Sequence, residues 1–171
     1  MNKKPIIAFL YDFDKTLCTT DMQDYTFIPS LGYTPGEFWS IANSFGFENR
    51  MDGLLAYMYT MIEECRKKGI RLDRDYLVSC GHAIELFPGV QDWFSRINAF
   101  GETLGVEIEH YVLSSGLREI IEGSGIAHEF NNFLTPITGY AASTRVFSTS
   151  RRTRSSTLRC PTTPSASRSR T

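Results

Sequence analysis

Lysine is absent from this 171-residue chain after Lys68, and no aspartate or glutamate follows Glu129. Cysteine is scarce: Cys18, Cys65, Cys80 and Cys160 fit neither a zinc spacing nor a dense disulfide framework. That excludes the metal-finger and disulfide-stapled classes and leaves reduced thiols in a cytoplasmic protein as the expectation. The three histidines, His82, His110 and His128, fall in separate segments and make no ligand set. No apolar run approaches the roughly 20 residues that a membrane span needs. The opening Met-Asn-Lys-Lys-Pro starts like a signal peptide, but the apolar stretch behind it is short and runs straight into acids.

Charge is short on one side of the chain at a time. Residues 1–129 carry all 19 acids against 11 Lys and Arg, a balance of −8. Residues 130–171 carry seven Arg and no acid, so the net of −1 averages two unlike parts. From Ala141 to Thr171 about half the residues are Ser or Thr, with Arg in doublets and no amphipathic period. Low hydrophobicity and high charge there predict disorder. A basic tail that engages nucleic acid is one alternative. Phe147 alone would supply stacking, so nucleic acid is not the expected partner.

What is present is concentrated near the start. Residues 6–17 read Ile-Ile-Ala-Phe-Leu-Tyr-Asp-Phe-Asp-Lys-Thr-Leu, an apolar run that ends in Asp12 and Asp14, with Thr16 beyond. A buried strand of this kind delivers its acids to the sheet edge where ligands bind in parallel α/β folds. Strand side chains alternate, so the two acids start on one side. Carboxylates held that close repel unless a cation or a shared proton intervenes, and an oxygen-preferring ion such as Mg²⁺ would relieve the conflict. The alternative is a plain turn whose acids cap the next helix.

Further along, Thr34-Pro35-Gly36-Glu37 is a helix start with a capping box and proline at the first position. A second helix is predicted from Asp52 to Lys68, closed by Gly69, and a third from about Asp73 to Leu86. Tyr25, Phe27, Phe38, Trp39, Phe45, Phe47, Tyr57 and Tyr59 in this stretch either line a pocket or fill a core. Phe87-Pro88-Gly89 breaks the pattern. Val90, Trp93, Phe94 and Ile97 then mark a helix that ends before Gly105, and Val106 to Leu113 reads as a strand. Ser114-Ser115-Gly116 follows, with Leu117 to Glu122 helical. A hydroxyl at a strand end before a helix N-terminus suits an anion, and Gly116 permits close backbone approach. Arg118 adds charge to that pocket or only decorates the helix.

Asp12-Phe13-Asp14-Lys15-Thr16-Leu17 resembles the first motif of the haloacid dehalogenase-like hydrolase superfamily, and the strand ending in Ser114 resembles its second. The branch resembled is the capped one that includes phosphoserine phosphatase. The resemblance implies an α/β fold: a Rossmannoid parallel sheet core over residues 1–20 and 87–135, with a helical cap over 21–86 inserted after the first strand. It also implies a Mg²⁺-dependent phosphomonoester phosphatase acting on a small phosphorylated substrate, phosphoserine being the first guess. Asp12 would be the nucleophile that becomes an aspartyl-phosphate. Asp14 would be the general acid and base, both acids would serve the metal, and Ser114, Ser115 and Gly116 would bind phosphate.

The family's third motif, a lysine, and its fourth, a Gly-Asp-x-x-x-Asp pair, both come after the second. Neither is present in this sequence. The expectation is therefore an incomplete core, impaired catalysis, and a segment 136–171 that is out of frame. The alternative is a non-catalytic remnant with weak phosphate or metal affinity. Half a parallel sheet would also leave apolar surface uncovered and favour aggregation.

Overall fold

A computed structural model describes residues 4–135 of the chain, so the expectations for residues 136–171 and for Cys160 lie outside the described residues. The fold is α/β. Strand β1 (Ile6–Tyr11) is followed by helices α1 (Met22–Tyr25), α2 (Phe27–Ser30), α3 (Pro35–Asn49), α4 (Gly53–Lys68) and α5 (Arg74–Cys80). Then come α6 (Val90–Thr103), β2 (Glu107–Leu113), α7 (Arg118–Glu122) and β3 (Asn132–Leu134). The strands form a parallel sheet in the order β1-β2-β3. Strand, helical segment, helix, strand is the order expected from the sequence.

Local signals set most of the helix ends. Thr34 Oγ1 accepts the Glu37 N–H while the Glu37 carboxylate accepts the Thr34 N–H, a closed capping box at the start of α3. Asp52 accepts the N–H groups of Leu54 and Leu55 and so caps α4. At its other end Gly69 turns left-handed with φ 68°. Helix α5 departs from expectation. It stops at Cys80 rather than near Leu86, and Gly81–Ala83 form a 3-10 turn. The reason is tertiary: the backbone at Gly81 lies directly on that of Ile120 and Gly123, a Cβ at Gly81 would collide with the Ile120 carbonyl, and one at Gly123 with the Val78 carbonyl.

After that turn the chain runs beside its own beginning. Cys18 and Leu86 form an antiparallel bridge, Thr19 N–H donates to the Glu85 carbonyl, and Phe87 N–H donates to the Leu17 carbonyl. The helical segment thus leaves and re-enters the sheet layer at one point.

Paired residues of a parallel sheet share a face. Phe9, Tyr11 and His110 lie on the face where Trp93 and Phe94 of α6 and Phe130 pack against them. A line of hydrogen bonds crosses this face. Trp93 Nε1–H donates to the Tyr11 hydroxyl (2.9 Å), which meets His110 Nδ1 (2.9 Å), and His110 Nε2 meets Asn98 Oδ1 (3.0 Å). The Asn98 carbonyl can only accept, so the His110 proton sits on Nε2 and Tyr11 donates to Nδ1. Burial holds the His110 pKa below its usual value.

The opposite face corrects an expectation. Strand β1 was expected to be buried, yet Leu10 is 58% exposed and Leu113 55%, with Ile6 and Leu134 exposed on the same side. None of the described elements covers that face. The core lies on the other side and is continuous: Phe13, Leu17 and Met22 join Phe27, Phe38, Met61 and Leu77 of the helical segment to Val112, Leu117 and Ile120.

Candidate active site

Beyond Tyr11 the chain wraps around one carbonyl. The Phe13 oxygen accepts N–H groups from Thr16 (3.2 Å), Leu17 (2.9 Å) and Cys18 (3.2 Å), and Lys15 takes a left-handed φ of 57° to close the turn. Phe13, Leu17 and Cys18 are buried and anchor it. Asp12 and Asp14, on either side of Phe13, are left near the surface, Asp12 exposed and Asp14 half-buried.

The two acids meet different surroundings. Asp12 Oδ2 accepts the Thr16 hydroxyl at 2.9 Å. Asp14 Oδ1 accepts the Met22 backbone N–H at 2.8 Å and lies 3.9 Å from Cys18 Sγ. Burial pushes the Asp14 pKa up to about 6; the Met22 hydrogen bond opposes this, and the nearby charges of Asp21 and Asp12 add to it. Burial, and then Asp14, also pushes the Cys18 thiol up to about 11, which leaves it an inert core group. Lys15 Nζ bonds Asp21 Oδ2 at 2.6 Å.

The second segment comes from the end of β2. Ser114 is buried, and its Oγ accepts the Gly116 N–H at 3.0 Å. Ser115 is exposed, and its carbonyl accepts the Tyr57 hydroxyl at 3.4 Å. Gly116 is pressed against the Met22 side chain so closely that a Cβ there would overlap Met22 Cε and Sδ. Met22 therefore ties the two segments together, with its N–H on Asp14 and its thioether on Gly116.

A cleft of about 340 Å³ opens between them and the helical segment. Asp14, Ser115 and Gly116 line it from the two loops, and Trp39, Leu54 and Tyr57 from the helical segment. The structure brings these three expected site residues to one space. Asp12 and Ser114 are not in its lining: Asp12 is outside on the exposed turn, and Ser114 faces into the protein. Helix α7, expected to offer its N-terminus, has only five residues. Arg118 decorates that helix, with Nε on Glu122 Oε1 at 2.7 Å and its guanidinium over the Phe133 ring.

Of the aromatics that could line a pocket or fill a core, Trp39 and Tyr57 do the former, Phe27 and Phe38 the latter, and Phe47 is 88% exposed. Sequence reasoning missed Asp21, Met22 and Gln23, which border the site just before and within α1. Nothing in their spacing sets them apart. It also missed Glu119, whose Oε2 is buried without a hydrogen-bond partner.

No three His, Cys, Asp or Glu side chains converge as a metal shell among the described residues. Asp12 and Asp14 are nonetheless the hard oxygen donors that Mg²⁺ takes one or two at a time, alongside water and phosphate oxygens, so the donor set fits a substrate-associated ion.

No family model matches the chain. Over 140 residues it is 30% identical to an uncharacterized protein of Borreliella burgdorferi, a match covering 74% of this chain and 48% of that protein. The chain thus spans about half the length of the curated relative it matches. Among solved structures, an L-2-haloacid dehalogenase is similar at 12% identity over 86% of this chain and 74% of that one, with a TM-score of 0.38. A predicted phosphoglycolate phosphatase from Haemophilus somnus is similar at 12% identity (86% and 71% covered, TM-score 0.39). A haloacid dehalogenase-like family hydrolase from Xanthomonas campestris is similar at 18% identity (86% and 70% covered, TM-score 0.38).

Proposed function

We propose that this site hydrolyses small phosphomonoesters through an aspartyl-phosphate on Asp12, with Asp14 as general acid and base, as in the superfamily its first motif resembles. The observation that carries the reading is Asp14: a carboxyl held up to about 6 on the wall of a cleft it shares with Ser115 and Gly116. A group with that affinity for protons can both give and take one near neutral pH. The Thr16 hydroxyl occupies Asp12 Oδ2, leaving Oδ1 to attack phosphorus. The bond from phosphorus to the leaving oxygen breaks as Asp14 gives that oxygen its proton. Asp14 then takes a proton from water, whose oxygen attacks the phosphoryl group, releasing phosphate and restoring the Asp12 carboxylate.

Ser114 holds the phosphate-binding loop through the Gly116 N–H, and Ser115 meets the phosphate at the cleft. Asp12 and Asp14 would hold Mg²⁺, which when bound screens the phosphate charge from the attacking carboxylate. The helical segment of residues 21–86 serves as the cap that closes over the substrate and excludes water. A cytoplasmic setting belongs to the same reading and agrees with free, buried Cys18, Cys65 and Cys80. No helix among the described residues is long and apolar enough to cross a membrane.

A second reading is favoured by one observation. The sequence has no lysine after Lys68 to stabilise the transferring phosphoryl group and no acid after Glu129 to complete a metal shell. In that reading the site binds phosphate or metal without turnover. Incubation with Mg²⁺ and ³²P-labelled p-nitrophenyl phosphate, followed by acid quench, separates the two. Acid-stable label on the chain that vanishes in Asp12→Asn, with slow release of nitrophenol, is the expected result. Bound phosphate without covalent label would establish the second reading.

A further inference from the structure

The cleft has an unusual balance of charge for a space meant to receive a phosphate ester. Among the described residues no Lys, Arg or His is in its lining, while Asp14 and Asp21 are. Asp12 stands just outside, on the same turn. Lys15 is the cation at its mouth, and it is already paired with Asp21 Oδ2. Asp24 lies behind the opposite wall, where its Oδ1 accepts the Trp39 Nε1–H at 3.2 Å and fixes the indole.

The walls themselves have a particular form. Trp39 and Tyr57 meet as a corner, ring centroids 5.6 Å apart and planes at 64°. Tyr57 is held there by its bond to the Ser115 carbonyl. Aromatic surfaces set at an angle attract a cationic head through their quadrupoles, and the attraction grows where water is excluded. A leaving group bearing a carboxylate would meet Asp21 in the lining and Asp24 behind it, with no Lys, Arg or His among the described lining residues. A neutral one would find the apolar wall and the amides of Gln23 and Asn43, with no charge to complement. An alkylammonium would find the aromatic corner together with the free Oδ1 of Asp21.

We propose that the cleft takes phosphomonoesters whose leaving group carries an alkylammonium head, with Trp39 and Tyr57 receiving the head and Asp21 supplying the opposite charge. This deepens the phosphatase reading and rests on it for the phosphate end alone; recognition of the head stands on the cleft. Phosphoserine also carries an ammonium, but beside a carboxylate that would meet Asp21 at the lining, so a head without a carboxylate fits better.

The test pairs two molecules of one shape, choline and its neutral isostere 3,3-dimethylbutanol, on the full chain. The protein has two tryptophans, so its ¹H–¹⁵N spectrum holds two indole N–H peaks, and Trp39→Phe assigns them. Choline is expected to shift the Trp39 peak to saturation while the neutral isostere binds about tenfold more weakly, the scale of one cation–π contact with a partly desolvated charge. Asp21→Asn should bring the two affinities together. Equal binding of the two probes by the parent chain, or no shift of Trp39, would overturn the inference without any variant. Turnover then tells the two claims apart. If phosphocholine and 3,3-dimethylbutyl phosphate are hydrolysed with equal kcat/KM, the ammonium preference is refuted and the phosphatase reading stands. If choline binds selectively and neither ester is hydrolysed, the ammonium site stands and the phosphatase reading falls.

Discussion

Asp14 is a carboxylate in the wrong place for stability and a useful one for chemistry. Its folded pKa of about 6 lies above the ordinary 3.8, so between those values the folded chain holds a proton that the unfolded chain has released. Below about pH 3 both states are protonated and the site costs nothing; the penalty grows as pH rises and is complete above about 6. Asp14→Asn keeps an acceptor for the Met22 N–H and removes the charge. It should stabilise the metal-free chain by on the order of 2 kcal/mol at pH 7 and by almost nothing at about pH 3. Urea unfolding at the two pH values measures this, and equal effects at both would refute it. His110 works in the opposite direction. Its folded pKa is lowered, so stability falls as pH drops through about 6.5, where the unfolded imidazole takes up its proton first. The acid loss should therefore be plainer in Asp14→Asn than in the parent chain. Gly116→Ala tests the joint between the two loops. Its methyl group would enter space held by the fully buried Met22, and a loss of about 1–3 kcal/mol in the same titrations is expected. Asp14, Ser115 and Gly116, which line the cleft, were legible in the sequence because each belongs to a local pattern at a strand end; Asp12 and Ser114, read from the same patterns, lie outside its lining. Asp21 and Met22 were not legible, because what places them at the site is Met22 lying on Gly116, far away in the chain.

Among the elements, those bounded by side-chain caps were readable in advance. Thr34 with Glu37, Asp52 and Gly69 each satisfy backbone groups within a few residues, and the structure keeps all of them. Removing one should act locally: Asp52→Ala is expected to lower stability by about 1 kcal/mol, with the loss of helical circular dichroism confined to a small fraction. Helix α5 ends for another reason, and its end was misjudged from sequence. Its limit is set by backbone laid against backbone at Gly81 and Gly123, with no room for a Cβ on either side. Neither glycine has a left-handed φ that would advertise it. Gly123→Ala should separate α5 from α7 and lower the melting temperature more than Asp52→Ala does. A smaller loss than the cap variant would mean that the two backbones can part cheaply.

At the scale of the whole molecule the sheet is covered on one face and bare on the other. Parallel sheets ordinarily have both faces covered, and Leu10, Leu113 and Leu134 form an exposed apolar row across all three strands. Self-association that rises with protein concentration is expected, and Leu10→Lys with Leu113→Lys should abolish it in sedimentation velocity; an unchanged monomer in the parent would contradict this. The apolar run of β1 suggested burial, but coverage depends on what else reaches the sheet, which no property of Ile6 to Tyr11 encodes. The covered face has a different consequence. In the line from Trp93 through Tyr11 and His110 to Asn98, the imidazole carries one hydrogen, on a nitrogen that water reaches poorly. Such a hydrogen trades places with solvent slowly and should give a sharp resonance well downfield of the amides. Because Tyr11 immediately precedes Asp12, that one signal would show, in any variant or mixture, whether the strand that leads into Asp12 is seated.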